Sequence, residues 1–112
     1  MSALYINKEN FEQEVLQSDK PVLLDFWADW CGPCQQLLPV VDQIAAEHPE
    51  LKVGKVNVDE QRELAKKHKV FSIPTLVVYQ NGEITREARQ GVPLPAVRRY
   101  ASARHDRHGS GL

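Results

Sequence analysis

Val22-Leu23-Leu24-Asp25-Phe26-Trp27-Ala28-Asp29-Trp30-Cys31-Gly32-Pro33-Cys34 decides the reading of this 112-residue chain. Pro21 opens a run that is apolar throughout except at Asp25, rather than alternating, which predicts a strand covered on both faces. The only two cysteines follow it at C-x-x-C spacing. A thiol pair so placed is a redox couple, half of a metal site, or a staple. As a staple it is weak: closing a four-residue loop gains roughly 2 kcal/mol, against about 4.7 kcal/mol for a 100-residue loop in the same chain-entropy model. As half of a zinc site it lacks partners. There is no second cysteine pair, and His48, His68, His105 and His108 sit at no spacing that completes one. Redox chemistry uses both thiols and needs no bound cofactor.

Downstream, Leu37, Leu38, Val41, Ile44 and Ala45 recur at helical spacing, predicting a helix from Cys34 to about His48, where His48-Pro49 stops it. Pro39 lies inside that helix, removes one backbone hydrogen bond and predicts a kink. Residues 52–58 read as a second buried strand. Asp59 is placed to cap a helix to about Lys69, with Leu64 and Ala65 inward. After a turn at Ser72-Ile73-Pro74, residues 75–80 read as a strand. Asn81-Gly82 is a hairpin signal that makes Glu83 to about Gln90 its antiparallel partner. Gly91-Val92-Pro93 breaks the chain again, and Leu94, Val97, Tyr100 and Ala101 outline a last helix.

Upstream, residues 4–6 read as a short first strand. Asn10-Phe11-Glu12-Gln13 resembles a capping box, opening a helix that buries Phe11, Val15 and Leu16 and ends near Asp19. The order βαβαβαββα, parallel crossovers first and then a hairpin and a covering helix, predicts an α/β fold with a central mixed β-sheet flanked by helices. One domain is expected over residues 1–104, followed by a polar, frayed tail at 105–112 that contains His105 and His108.

Composition narrows the function classes. The chain is 42% hydrophobic and 26% charged with a formal net charge of −1, a balance that gives no electrostatic case for nucleic acid. Two cysteines do not make a secreted disulfide scaffold. No basic segment followed by an apolar core opens the sequence, and no apolar run approaches the ~20 residues that span a bilayer. The expectation is a cytoplasmic monomer that binds neither nucleic acid nor membrane.

Taken together, the stretch from Asp25 to Cys34, then Pro39, Lys55, Ile73-Pro74-Thr75, Asn81-Gly82 and Gly91, resembles the thioredoxin family. The resemblance covers about residues 4–104, with the elements in the family's order. It implies the thioredoxin fold and a protein disulfide reductase. Such a protein exchanges its dithiol with disulfides of target proteins and is restored by a thioredoxin reductase. It implies Cys31 as the nucleophile and Cys34 as the thiol that resolves the mixed disulfide, with Gly32 and Pro33 tuning the pair. Gly-Pro resembles the reducing members. The oxidant or isomerase reading is chemically close, since 30 mV corresponds to about 1.4 kcal/mol.

Asp25 would face solvent in a sheet covered on one side; covered on both sides, it is buried and its pKa rises. By resemblance it accepts the Cys34 proton, with Lys55 on the neighbouring strand as its partner. Otherwise Lys55 is an exposed strand lysine. The resemblance also implies a cis Ile73–Pro74 bond beside the dithiol, and an apolar docking patch of Trp30, Ile73, Pro74, Gly91 and Val92. Trp27 is expected behind the site as core. Two positions depart from the family: Gln35, where a basic residue is common, and Gln90, where the groove is usually apolar. Six of the seven arginines fall between Arg86 and Arg107, as a solvated helix face or a contact for an acidic partner. A docking module with idle cysteines is the non-enzymatic alternative, distinguished by whether partner function survives Cys31→Ser.

Overall fold

Five strands form one mixed sheet in the computed structural model, which describes residues 3–89. The described elements are β1 (Leu4–Tyr5), a π-helical turn (Glu12–Leu16), β2 (Val22–Trp27), α1 (Gly32–Glu47), β3 (Lys52–Asn57), α2 (Arg62–Lys67), β4 (Thr75–Gln80) and β5 (Glu83–Arg89). Across the sheet the order is β1-β3-β2-β4-β5. β1 and β2 run parallel to β3, whereas β4 is antiparallel to both β2 and β5. Gln90, Gly91, Val92, the expected last helix and the tail lie outside the described residues.

The apolar run of β2 takes the centre, and all six of its residues are buried. Alternation of side chains sends Leu23 to one face, where it packs with Leu37, Val41 and Ile44 of α1 and with Leu76 and Val78 of β4. Val22, Leu24 and Phe26 go to the other, against Phe11, Val15 and Leu64. Each large side chain buried this way contributes about 1.5–3 kcal/mol of transfer free energy. Two-sided burial is what a run apolar on both alternating sets of positions predicted.

β3 runs beside β2 with no room to spare. At Gly54 a Cβ would stand 2.6 Å from Ile6 Cγ1 and 3.0 Å from Leu24 Cδ2, so any side chain there would have to displace both. The hairpin after β4 turns through Asn81 (φ 54°) and Gly82 (φ 80°), the two positive φ angles a type I′ turn needs. α1 passes through Pro39 without ending. That residue is exposed, and the Gln35 carbonyl four residues earlier lacks its helical donor.

Two expected caps are not formed. The Asn10 side chain does not serve the turn that follows; its oxygen accepts from the Asn7 amide at 2.8 Å, and the Asn10 amide in turn donates to Asn7 Oδ1 at 2.9 Å. The segment behind this closed pair is a single π-helical turn in place of a longer helix. Nor does Asp59 cap α2. Asn57, at the end of β3, accepts from the Asp59 and Glu60 amides at 2.9 and 3.2 Å, and α2 begins only at Arg62.

His68, directly after α2, fills the core between Phe11, Phe26 and Tyr79. Its Nδ1 lies 2.8 Å from the Leu64 carbonyl, which can only accept, so the proton is on Nδ1. Nε2 then accepts from the Tyr79 hydroxyl at 2.6 Å. Burial holds the imidazole below its ordinary pKa, so this histidine is a neutral core residue.

Candidate active site

The dithiol sits where β2 hands over to α1. The Cys31 amide donates to the Ala28 carbonyl at 3.2 Å, turning the chain tightly, and Cys31 then occupies the N-cap of α1 in an extended conformation. Pro33 in the first helical turn suits a position where an N–H has no helical acceptor. Cys31 and Cys34 are joined by a disulfide. The Cys34 amide donates to Cys31 Sγ at 3.2 Å. An N-cap sulfur therefore receives what a serine or aspartate oxygen accepts at other helix starts: a free amide and the positive end of the helix dipole. Both favour a thiolate. Cys34 is fully enclosed, and Cys31 is nearly so.

Gln35 braces this corner. Its amide nitrogen donates to the carbonyls of Ala28 and Asp29, at 3.2 and 3.4 Å, and so ties the first turn of α1 back to the end of β2. A basic residue would place a charge here; glutamine supplies two neutral bonds.

Asp25 is 0% exposed, and among the described residues neither of its carboxyl oxygens has a hydrogen-bond partner. Burial pushes its pKa up to about 7, against the pull of the Lys55 ammonium and with a smaller push from Asp42. Lys55 faces Asp25 in register across the parallel β2–β3 pair. It is buried, so it is not the exposed strand lysine of the alternative reading. Its Nζ lies 3.8 Å from Asp42 Oδ1 on α1 and 4.8 Å from the centre of the Tyr5 ring.

On the other side of the dithiol, the Ile73–Pro74 bond is cis, and the Ile73 carbonyl oxygen lies 3.8 Å from Cys31 Sγ. Trp30, 70% exposed, has its indole N–H fixed by Asp59 Oδ2 at 2.9 Å. A groove of about 330 Å³ runs from it, lined by Trp30, Val58, Val70, Phe71, Ser72 and Ile73. Two expected docking residues, Trp30 and Ile73, are thus brought together. Pro74 is buried beneath them and does not line the groove. Gly91 and Val92 lie outside the described residues. Trp27 packs behind the site against Ala28, Cys31 and Cys34.

Comparison with known proteins settles the family. The thioredoxin family model matches residues 2–102. The chain belongs to the thioredoxin family. It is similar to the thioredoxin of Streptomyces clavuligerus, 43% identical over 94 residues that cover 84% of this chain and 88% of the relative. Thioredoxin 1 of Nostoc sp. is 48% identical over 83 residues, 73% and 78% of the two chains. The thioredoxin of Porphyra purpurea is 46% identical over 84 residues, 74% and 78%.

The mixed sheet with helices on both faces is accordingly the thioredoxin fold, and the intact Cys31–Cys34 pair makes this thioredoxin-family chain a thiol–disulfide oxidoreductase of the protein-disulfide reductase type. Its partners are of two kinds, disulfide-containing targets and a reductase. Among the described residues no helix is long and apolar enough to cross a membrane, and no three histidine, cysteine or acidic side chains gather as a metal site.

Three residues at or near this thioredoxin site escaped the sequence reading. Phe71, 89% exposed, lines the groove, and its only signal was an aromatic just before the turn expected at Ser72-Ile73-Pro74. Asp59 carried a signal for the wrong task, holding Trp30 where a helix cap was expected. Asp42 follows the buried Val41 in α1, a position that reads as solvated helix surface.

Proposed function

We propose that this thioredoxin-family chain is a cytoplasmic, monomeric reductant of target proteins, with Cys31 as attacking thiol, and that a thioredoxin reductase restores it. The observation that carries this reading is the Cys34 amide directed at Cys31 Sγ from 3.2 Å. It favours negative charge on Cys31 and not on Cys34. Gly32-Pro33 between the sulfurs supports the reducing direction by resemblance.

In the forward reaction the Cys31 thiolate attacks one sulfur of a target disulfide. A bond forms between Cys31 Sγ and that sulfur, and the other target sulfur leaves as a thiolate and takes a proton from solvent. Cys34 then gives its proton to the Asp25 carboxylate and attacks Cys31 Sγ. The Cys31–Cys34 disulfide forms as the mixed disulfide breaks, and the second target thiolate leaves. Two electrons have moved to the target. A carboxyl whose pKa burial raises to about 7 is suited to taking a proton and returning it near neutral pH. Trp30 and Ile73 hold an extended target segment, with the Ile73 backbone offering strand-like pairing beside the sulfur.

Substitution separates the two thiols. Cys34→Ser accumulates a mixed disulfide between Cys31 and a model substrate such as insulin, whereas Cys31→Ser forms none and loses turnover. Trapping through Cys34 in the Cys31→Ser protein would reverse the assignment.

A further inference from the structure

We propose that Asp42 is a positioning residue for the buried carboxyl of Asp25: its charge holds the Lys55 ammonium on the α1 side of the sheet and so governs how readily Asp25 takes up a proton. The catalytic consequence rests on the proposed role of Asp25 as proton acceptor. The positional claim does not.

The three side chains form a graded path outward. Asp25 is sealed, Lys55 is buried beside it on β3, and the Asp42 side chain on α1 is 40% exposed. Lys55 faces Asp25 in register, so its ammonium is the cation available to neutralise that carboxyl. Yet neither Asp25 oxygen bonds it, while Asp42 Oδ1 lies 3.8 Å from Nζ and the Tyr5 ring flanks it at 4.8 Å. Asp42 is itself anchored, since the same Oδ1 accepts from the Ala3 amide at 3.1 Å. Ala3, just before β1, and the middle of α1 therefore meet at the atom that engages Lys55.

Among the described residues, charge acts on Asp25 from two elements. Lys55 on β3 favours the carboxylate and Asp42 on α1 disfavours it, while burial is the largest influence. β4 places Leu76 opposite Asp25, without a titratable group. The nearby sulfurs do not ionise while they form a disulfide. Asp42 thus works twice in one direction: its negative charge opposes ionisation of Asp25, and its hold on Lys55 draws away the cation that would assist it. Sequence position conceals this, because residues 25, 42 and 55 share no motif and converge only through the β2–α1–β3 crossover.

The test follows the Asp25 carboxyl by carbon-detected NMR titration of the full chain in its disulfide form, comparing wild type with Asp42→Asn. Asparagine retains the oxygen that accepts from Ala3 while losing the charge. The Asp25 midpoint should fall by roughly half a pH unit or more, as expected for removing one nearby like charge. The acid limb of the turnover profile should move to lower pH with it. Lys55→Met alone should raise the midpoint, and Asp42→Asn in that background should give a smaller downward shift than in wild type. An Asp25 midpoint unmoved by Asp42→Asn overturns the proposal, and equal shifts in both backgrounds overturn the part assigned to Lys55. A midpoint that moves while the turnover profile stays fixed upholds the action of Asp42 on the carboxyl and rejects Asp25 as the proton acceptor.

Discussion

The Cys34 amide donates to Cys31 Sγ across the first turn of α1, at 3.2 Å, and no equivalent donor serves Cys34 Sγ among the described residues. On the proposed assignment, negative charge in the dithiol form is expected on Cys31. Limited alkylation of the reduced protein with iodoacetamide at pH 7 should label Cys31 at least about tenfold faster than Cys34, as expected for a thiol held at a helix N-terminus against a buried one. Peptide mass mapping reads the ratio. Equal labelling would show that the helix start does not distinguish the two sulfurs.

Asp25 makes stability depend on pH. Its folded pKa of about 7 lies above the unfolded value of about 3.9, so between these values the native chain holds a proton that the unfolded chain has released. Stability consequently falls as pH rises from about 4 to about 7, and the full penalty applies above that. Asp25→Asn removes the titration. Relative to its effect at pH 4, the substitution should stabilise by about 2–4 kcal/mol at pH 8. Urea unfolding at both pH values measures this, and a difference that does not change with pH would contradict the assignment. The same variant should slow resolution of the mixed disulfide and spare the attack by Cys31.

Gly54 has a neighbour on each side. A methyl group there meets Ile6 Cγ1 at 2.6 Å and Leu24 Cδ2 at 3.0 Å, and both side chains belong to the packed core. Gly54→Ala should cost about 1–3 kcal/mol of overpacking strain, seen as a lower urea midpoint with an unchanged denaturant slope. Stability equal to wild type would mean that Ile6 and β1 move aside freely.

Sequence and structure agree where burial is two-sided and disagree where short polar side chains choose among partners. The run from Val22 to Trp27, apolar except at Asp25, predicted a central strand, and a central strand carries Asp25 into the interior whatever its charge. Helical spacing from Leu37 to Ile44 likewise placed α1 over one face. By contrast, Asn10 had two acceptable bonds, to its own turn or to Asn7, and a one-dimensional pattern cannot rank them. Asp59 was drawn to Trp30, 29 residues away, and Asn57 capped the amides in its place. Phe71 follows no period because it is 89% exposed, and an exposed aromatic just before a turn acquires meaning only when Trp30 is found lining the same groove. Asp42 was hidden for a related reason: its partner Lys55 lies on another element, and spacing within α1 carries no trace of it.

The redox equilibrium of Cys31 and Cys34 at pH 7, read by alkylation and intact mass after incubation in graded dithiol/disulfide buffers, tests the reductant assignment most directly. A potential well below that of the cytosolic glutathione pool is the predicted result, because a pair that reduces targets must be the stronger donor. A potential at or above that pool would contradict the reductant assignment and make the chain an oxidant or isomerase on the same fold.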